Sequence, residues 1–192
     1  MSDSDTKTVR VLGLVGSPRK GGNTDLLIDE VLSAAEQKGA SVEKIYLSKK
    51  DIAPCRACNA CRKLGKCSVE DDMVGMVEKM NATDVWVIGT PVYYWGPTGW
   101  LKAFIDRWYG IGKQVQFKDK RAVIVVPMED TNMATARHTV GMLTDTLDYV
   151  KTGLVATVVA AGVLNRGDVA AKDDILREAR MAGEKAVSAL LN

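Results

Sequence analysis

The stretch Val9-Arg10-Val11-Leu12-Gly13-Leu14-Val15-Gly16-Ser17-Pro18-Arg19-Lys20-Gly21-Gly22-Asn23-Thr24 decides how the rest of the chain is read. Val9 to Val15 is an almost continuous apolar run, broken only by Arg10, as expected of a strand covered on both faces. It hands over through a Gly-rich loop to a helix expected over Thr24 to Lys38, with Leu27, Val31, Ala34 and Ala35 on one face and Gly39 as its stop. Such a junction is an anion site. The Ser17 and Thr24 hydroxyls, the Asn23 amide and the loop N–H groups can donate to one phosphate, and the helix N-terminus adds its positive dipole end. Gly21 and Gly22 allow a tight turn and close approach, and Arg19 and Lys20 bring charge to the rim. Two better-known phosphate loops are excluded. Gly22 stands where a P-loop needs Lys, and there is no Gly-x-Gly-x-x-Gly. A phosphate ester or mononucleotide is the expected ligand, and a merely structural capped turn is the plainer alternative.

Outward from this junction, apolar runs and helical patterns alternate. Strands are expected over Val42 to Leu47, Asp84 to Thr90, Ala122 to Val126 and Val155 to Ala161. Helices are expected from Asp71-Asp72 to about Met80, around Leu101, Phe104, Ile105 and Trp108, and over Ala134 to Val150 and Val169 to Leu191. Asp51 to Ser68 reads as a loop. The result is a three-layer α/β domain over residues 1–192, with a doubly wound, parallel five-stranded sheet. Glu43 and Lys44 put the second strand at the edge, which favours the order 2-1-3-4-5 with a switch point between strands one and three. Ligands of such sheets sit beyond the carboxyl ends of the strands, where Ser17–Thr24 and Pro91–Gly96 would converge.

Pro91-Val92-Tyr93-Tyr94-Trp95-Gly96 sets three adjacent aromatics at the end of the third strand. At least one is expected to pack under the following helix, and the others can form a flat wall for a planar ring. A phosphate loop and a ring wall on one mononucleotide fold point to FMN, with a third wall expected from Pro127-Met128-Glu129-Asp130 and Met128 and Glu129 at the ring.

All four cysteines fall in one thirteen-residue window, Cys55-x-x-Cys58-x-x-Cys61-x5-Cys67. Four thiolates at this spacing suit a [4Fe–4S] cluster or a structural zinc. The compact triple fits the ferredoxin-type run better than zinc modules, which split their ligands into two pairs. Empty or paired thiols are the third reading. Arg56, Arg62, Lys63 and Lys66 lie nearby to balance an anionic cluster.

Composition narrows the setting. With 46% hydrophobic and 26% charged residues the chain reads as a soluble globular protein, and its formal charge of +2 makes no case for nucleic acid or anionic membrane. The polar, acidic residues 1–7 read as a frayed leader unlike a secretory signal, which suits a cytoplasmic protein with reduced thiols.

Taken with Asp71-Asp72-Met73, Gly89-Thr90-Pro91-Val92-Tyr93 and Phe104-Ile105-Asp106-Arg107, these motifs resemble the iron–sulfur flavoproteins of the flavodoxin-like superfamily, relatives of NAD(P)H-dependent FMN reductases. The resemblance implies FMN with its phosphate on Ser17, Arg19, Asn23 and Thr24 and its ring against Pro91 to Gly96. It implies a [4Fe–4S] cluster on Cys55, Cys58, Cys61 and Cys67, and homodimers or homotetramers in which a cluster lies near a neighbour's flavin. Three functions follow as expectations: an FMN and [4Fe–4S] oxidoreductase between a ferredoxin-like or NAD(P)H donor and small acceptors; an NAD(P)H-dependent FMN or quinone reductase whose cysteines hold zinc or nothing; and a non-enzymatic electron carrier or redox sensor. No catalytic acid or base is expected. His138 reads as a helix residue without a catalytic role, and Asp106 with Arg107 as a helix-end ion pair.

Overall fold

The computed structural model describes residues 8–191, so the leader expected over residues 1–7 lies outside the described residues. Five parallel strands, β1 (Arg10–Val15), β2 (Ser41–Tyr46), β3 (Val85–Gly89), β4 (Arg121–Pro127) and β5 (Gly153–Ala160), form one sheet in the expected order β2-β1-β3-β4-β5. β2 is an edge strand and alternates in exposure, whereas all five residues of β3 are buried.

Strand periodicity sorts the core by size. Val11 and Val15 of β1, Val85 and Val87 of β3, and Val123 and Val125 of β4 share one face with helices α1 (Asn23–Gln37) and α7 (Asp173–Leu191). The larger Leu12, Leu14, Trp86 and Ile88 point the other way. There they meet α3 (Met73–Ala82), α4 (Gly99–Asp106), α5 (Trp108–Ile111) and α6 (Arg137–Tyr149). Trp86, Trp108 and Phe117 pack ring to ring, with centroids 5.1–5.8 Å apart, and this seats α5 on the sheet. α1 stops where expected: Gly39 follows its C-cap at φ +84°, a conformation glycine adopts without strain.

Three local expectations change. The cysteine segment is not all loop, because Ala60–Leu64 forms a short helix, α2, entered through Asn59 in the left-handed region. Asp71 and Asp72 precede α3 instead of forming its first turn. Their carboxylates accept the N–H groups of Ala53 and Met73 (Asp71) and of Asp51 (Asp72), so they fasten the cysteine segment to the helix start. The Asp106–Arg107 pair does not form. Asp106 takes surface Lys102, one helical turn away, and Arg107 turns inward to Asp71.

Candidate functional site

A cleft of about 420 Å³ opens at the carboxyl ends of the strands, lined by Ser17, Arg19, Asn23, Thr24, Pro91 to Tyr94, Pro127 to Glu129, Val163 and Leu164. The phosphate loop after β1, the aromatic loop after β3 and the segment after β4 therefore meet as topology requires. Lys20, Gly22, Trp95 and Gly96, also expected at the ligand, do not line it.

Buried threonines lock the first two walls together. The Thr98 hydroxyl donates to Gly16 O at 2.5 Å, and the Thr98 N–H donates to Thr90 Oγ1 at 3.0 Å. Gly16 N–H bonds Gly89 O, and a Cβ on Gly16 would stand 2.7 Å from that same oxygen. Only glycine lets the two strand ends come this close.

Inside the phosphate loop many donors are already used. Arg19 N–H donates to Ser17 Oγ, Gly22 N–H to Arg19 O and Gly21 N–H to Asp25 Oδ2. Gly22 is the N-cap of α1, without a side-chain cap. The Asn23 side chain bridges to the segment after β5, donating to Asn165 O and accepting from Val169 N–H. The buried Ser17 and Thr24 hydroxyls thus lead the donor set facing the cleft, with Arg19 at its exposed rim.

Asp25, at the start of α1, is 3% exposed and accepts from Lys44 Nζ, the Tyr46 hydroxyl and Gly21 N–H. Burial pushes its carboxyl up, but the hydrogen bonds from Lys44, Gly21 and Tyr46 win and hold it below the ordinary value. Burial and Asp25 push the Tyr46 hydroxyl up. Lys44 also pairs with Asp29 at 2.6 Å, so one cation is shared by two carboxylates, and Asp25 ties the phosphate loop at Gly21 to β2.

The aromatic loop is a two-residue hairpin. Tyr93 and Gly96 exchange backbone hydrogen bonds, and Tyr94 (φ 47°) and Trp95 (φ 63°) occupy the left-handed region. Side chains rarely accept this conformation, and such strain clusters at ligand sites. Tyr94 is 96% exposed at the mouth of the cleft, and Trp95 O accepts from Thr139 Oγ1, which ties the hairpin to α6.

The segment after β5 escaped the sequence reading. Val163 and Leu164 wall the cleft, Val163 N–H bonds Met128 O, and Arg166 lies against Gly21 of the phosphate loop. Its signal was topological: a loop at the carboxyl end of a parallel strand, bracketed by Gly162 and Gly167.

The four cysteines are free; Cys55 and Cys58 are exposed and Cys61 and Cys67 partly buried. All four line one small pocket of about 20 Å³ together with Arg56, Arg107 and Tyr109. Among the described residues no three acidic, His or Cys side chains are gathered closely enough to hold a single metal ion. Ala57 and Asn59 both sit in the left-handed region, at φ 51° and 56°, and curl the chain around this pocket. The Ala60 N–H, the Ser68 hydroxyl and Arg56 hold the Cys58 thiol below the ordinary cysteine value. His138 is exposed on α6, away from both regions' linings.

No described helix is long and apolar enough to cross a membrane. Over 99 residues, 52% of this chain and 51% of the relative, the sequence is 41% identical to an iron–sulfur flavoprotein of Methanocaldococcus jannaschii. The chain spans about half the length of the curated relatives it matches. A flavone reductase superposes with a TM-score of 0.73 at 19% identity, covering 94% of this chain and 62% of that one. A flavodoxin from the domain Archaea superposes with a TM-score of 0.63 at 10% identity, covering 96% and 100%. At these identities the two structures speak for the flavodoxin-like fold alone. The sequence model described as NADPH-dependent FMN reductase matches residues 9–167, the span that runs from β1 through every wall of the cleft, and the chain belongs to that family.

Proposed function

We propose that this protein is an FMN-dependent oxidoreductase that couples the flavin to a [4Fe–4S] cluster and passes electrons from a ferredoxin-like or reduced nicotinamide donor to small acceptors. The observation that carries the flavin half is the single cleft with hydroxyl donors at one end and Pro91–Tyr94 with Met128 at the other. Its volume lies in the range of roughly 300–1,000 Å³ typical of small-molecule sites. In this reading Ser17 and Thr24 hold the phosphate, Arg19 covers it and Asn23 braces the loop. Pro91, Val92, Tyr93, Tyr94, Met128 and Glu129 line the ring. Trp95 and Gly96 shape the hairpin, and Lys20 and Gly22 act only through the loop.

The cluster half rests on chemistry: four thiols face one pocket, beside Arg56 and Arg107. The pocket has room for little more than one water, so admitting a cluster requires the loop to open outward, a movement that exposed Cys55 and Cys58 permit. Bound together, FMN would exchange electrons singly or in pairs and the cluster singly; the protein binds, orients and tunes the two. A homodimer or homotetramer in the cytoplasm completes the reading, bringing one subunit's cysteine loop to a neighbour's flavin.

The small volume of the cysteine pocket favours the second reading, an NAD(P)H-dependent FMN or quinone reductase, with its thiols free; zinc, the other form of that reading, would need the cysteines to draw together. Visible spectra and metal analysis of anaerobically purified protein separate the two. Flavin bands over a broad iron–sulfur absorbance, with about four irons per chain, are the expected result. Flavin bands with zinc or no metal overturn the cluster, and absence of flavin after incubation with FMN overturns the whole assignment. Turnover with NAD(P)H or reduced ferredoxin then distinguishes an enzyme from an electron relay.

A further inference from the structure

Arg107 lies between α4 and α5 with its side chain 1% exposed. Its guanidinium has five N–H donors, and four are used. Nη1 donates to Ala53 O at 2.9 Å and Asp71 Oδ2 at 2.5 Å; Nη2 donates to Asp71 Oδ1 at 3.1 Å and Val69 O at 3.3 Å. Ala53 precedes Cys55 by two residues and Val69 follows Cys67 by two, so one side chain staples both ends of the cysteine run. The fifth donor, Nε–H, is buried without a hydrogen-bond partner. Asp71 cannot serve it, because both its oxygens are taken by Nη1 and Nη2 and also accept from the Ala53 and Met73 N–H groups.

The neighbour that can serve it is sulfur. Cys67 and Arg107 line the same two pockets, one of them the pocket shared by all four cysteines. Cys67 is pressed against α5, where a Cβ on Gly110 would stand 3.1 Å from Cys67 Cβ. A buried cationic donor left unmade is costly, and Cys67, already beside it, becomes a full acceptor once its sulfur carries the negative charge of a thiolate.

We propose that Arg107 is a positioning residue of the cysteine site: its Nε–H donates to the Cys67 thiolate when the cysteines carry a [4Fe–4S] cluster, and this charged hydrogen bond raises the cluster's reduction potential. The proposal rests on the cluster reading given above. Its physical basis is that an added electron makes the cluster more negative, so a fixed cationic donor at one thiolate favours the reduced state.

The test is a spectroscopically monitored redox titration of the anaerobically reconstituted protein. Arg107→Lys keeps the charge and removes the Nε donor. The double variant Arg107→Met/Asp71→Leu removes the buried pair without stranding a charge, which guards against a variant that fails to fold. Both are expected to titrate at a more negative potential than the parent, with FMN content unchanged. In D2O the Fe–S(Cys) stretching bands of the parent should shift, and those of Arg107→Lys should not. A wild-type potential with the same D2O shift in Arg107→Lys overturns the proposal while leaving the cluster in place. A parent protein that takes up no iron and sulfide overturns the cluster reading and this proposal together.

Discussion

The cleft and the cysteine loop are held by opposite strategies. The cleft is assembled from strand ends, and its walls are bonded to one another by short links: Thr98 to Gly16, Gly16 to Gly89, Val163 to Met128. No single side chain carries it. The cysteine loop lies outside the sheet and exposes two of its thiols; the buried Arg107–Asp71 pair fixes its two ends, and Arg62 in its middle bonds the exposed Tyr109 hydroxyl. A site built on rigid elements is formed before its ligand arrives, whereas a loop clamped at its ends and held in its middle only by exposed contacts to Tyr109 keeps freedom to adjust around one. The first arrangement suits a molecule recognised by shape, the second a group whose own bonds impose the geometry.

Asp71→Ala should separate the two most sharply. It leaves Arg107 charged and buried without its carboxylate, and stability to urea should fall by about 3–5 kcal/mol. Hydrogen exchange should rise first in residues 51–72 and last in β1 and β3; equal loss of protection in both would erase the distinction. Arg19→Ala touches the other region alone. It should weaken FMN by about 1.5–3 kcal/mol in a fluorescence titration while leaving iron content unchanged, since a charged hydrogen bond to phosphate is lost. Unchanged affinity would remove Arg19 from the site.

The acid response sharpens the contrast further. Asp25 and Asp71 are both held below their ordinary values in the folded protein. For Asp71 burial pushes upward and is outweighed by hydrogen bonds from Arg107, Ala53 and Met73. The stability each contributes is therefore complete above the ordinary carboxylate pKa of about 4 and is lost as pH falls through the lowered folded value. In thermal melts from pH 7 to pH 3, Asp25→Asn should lose less stability than the parent, and its FMN affinity should vary less with pH. A variant that follows the parent curve would show that Asp25 does not brace the phosphate loop. The smallest effect has two signs. Tyr94→Gly relieves a left-handed side chain and should raise the stability of the FMN-free protein by roughly 1 kcal/mol. It also removes part of the ring wall, so flavin affinity should drop; a fall in both would mean the hairpin is unstrained.

Legibility in the sequence tracked the range of the interactions. Continuous apolar runs, the charged second strand and the Gly16–Thr24 junction announced the strands, their order and one end of the cleft, because strand and turn chemistry is local. Pro91–Tyr94 and Met128–Glu129 followed from topology. The bonds that cross between elements were not legible: Arg107 was read with its neighbour Asp106, yet its partner lies 36 residues earlier. Asp25 carries no signal of its role in the sequence, since Lys44 and Tyr46 reach it from the adjacent strand. Leu164 and Arg166 carry no motif, and only the finished sheet brings their loop over Gly21 and Asn23.

The reach of Arg107 also sets an order of events. Its partners stand 36, 38 and 54 residues away in the chain, so until α4 and α5 have docked on β3 the cysteine run is held only by the shorter-range bonds of Asp71 and Asp72 to Ala53 and Asp51. Closing loops of that length costs entropy that only the formed sheet and its helices can offset. Completion of the Arg107 staple is therefore expected to follow the docking of those two helices. A metal offered before that moment meets four loosely spaced thiols, and one offered afterwards meets a loop with its ends already set.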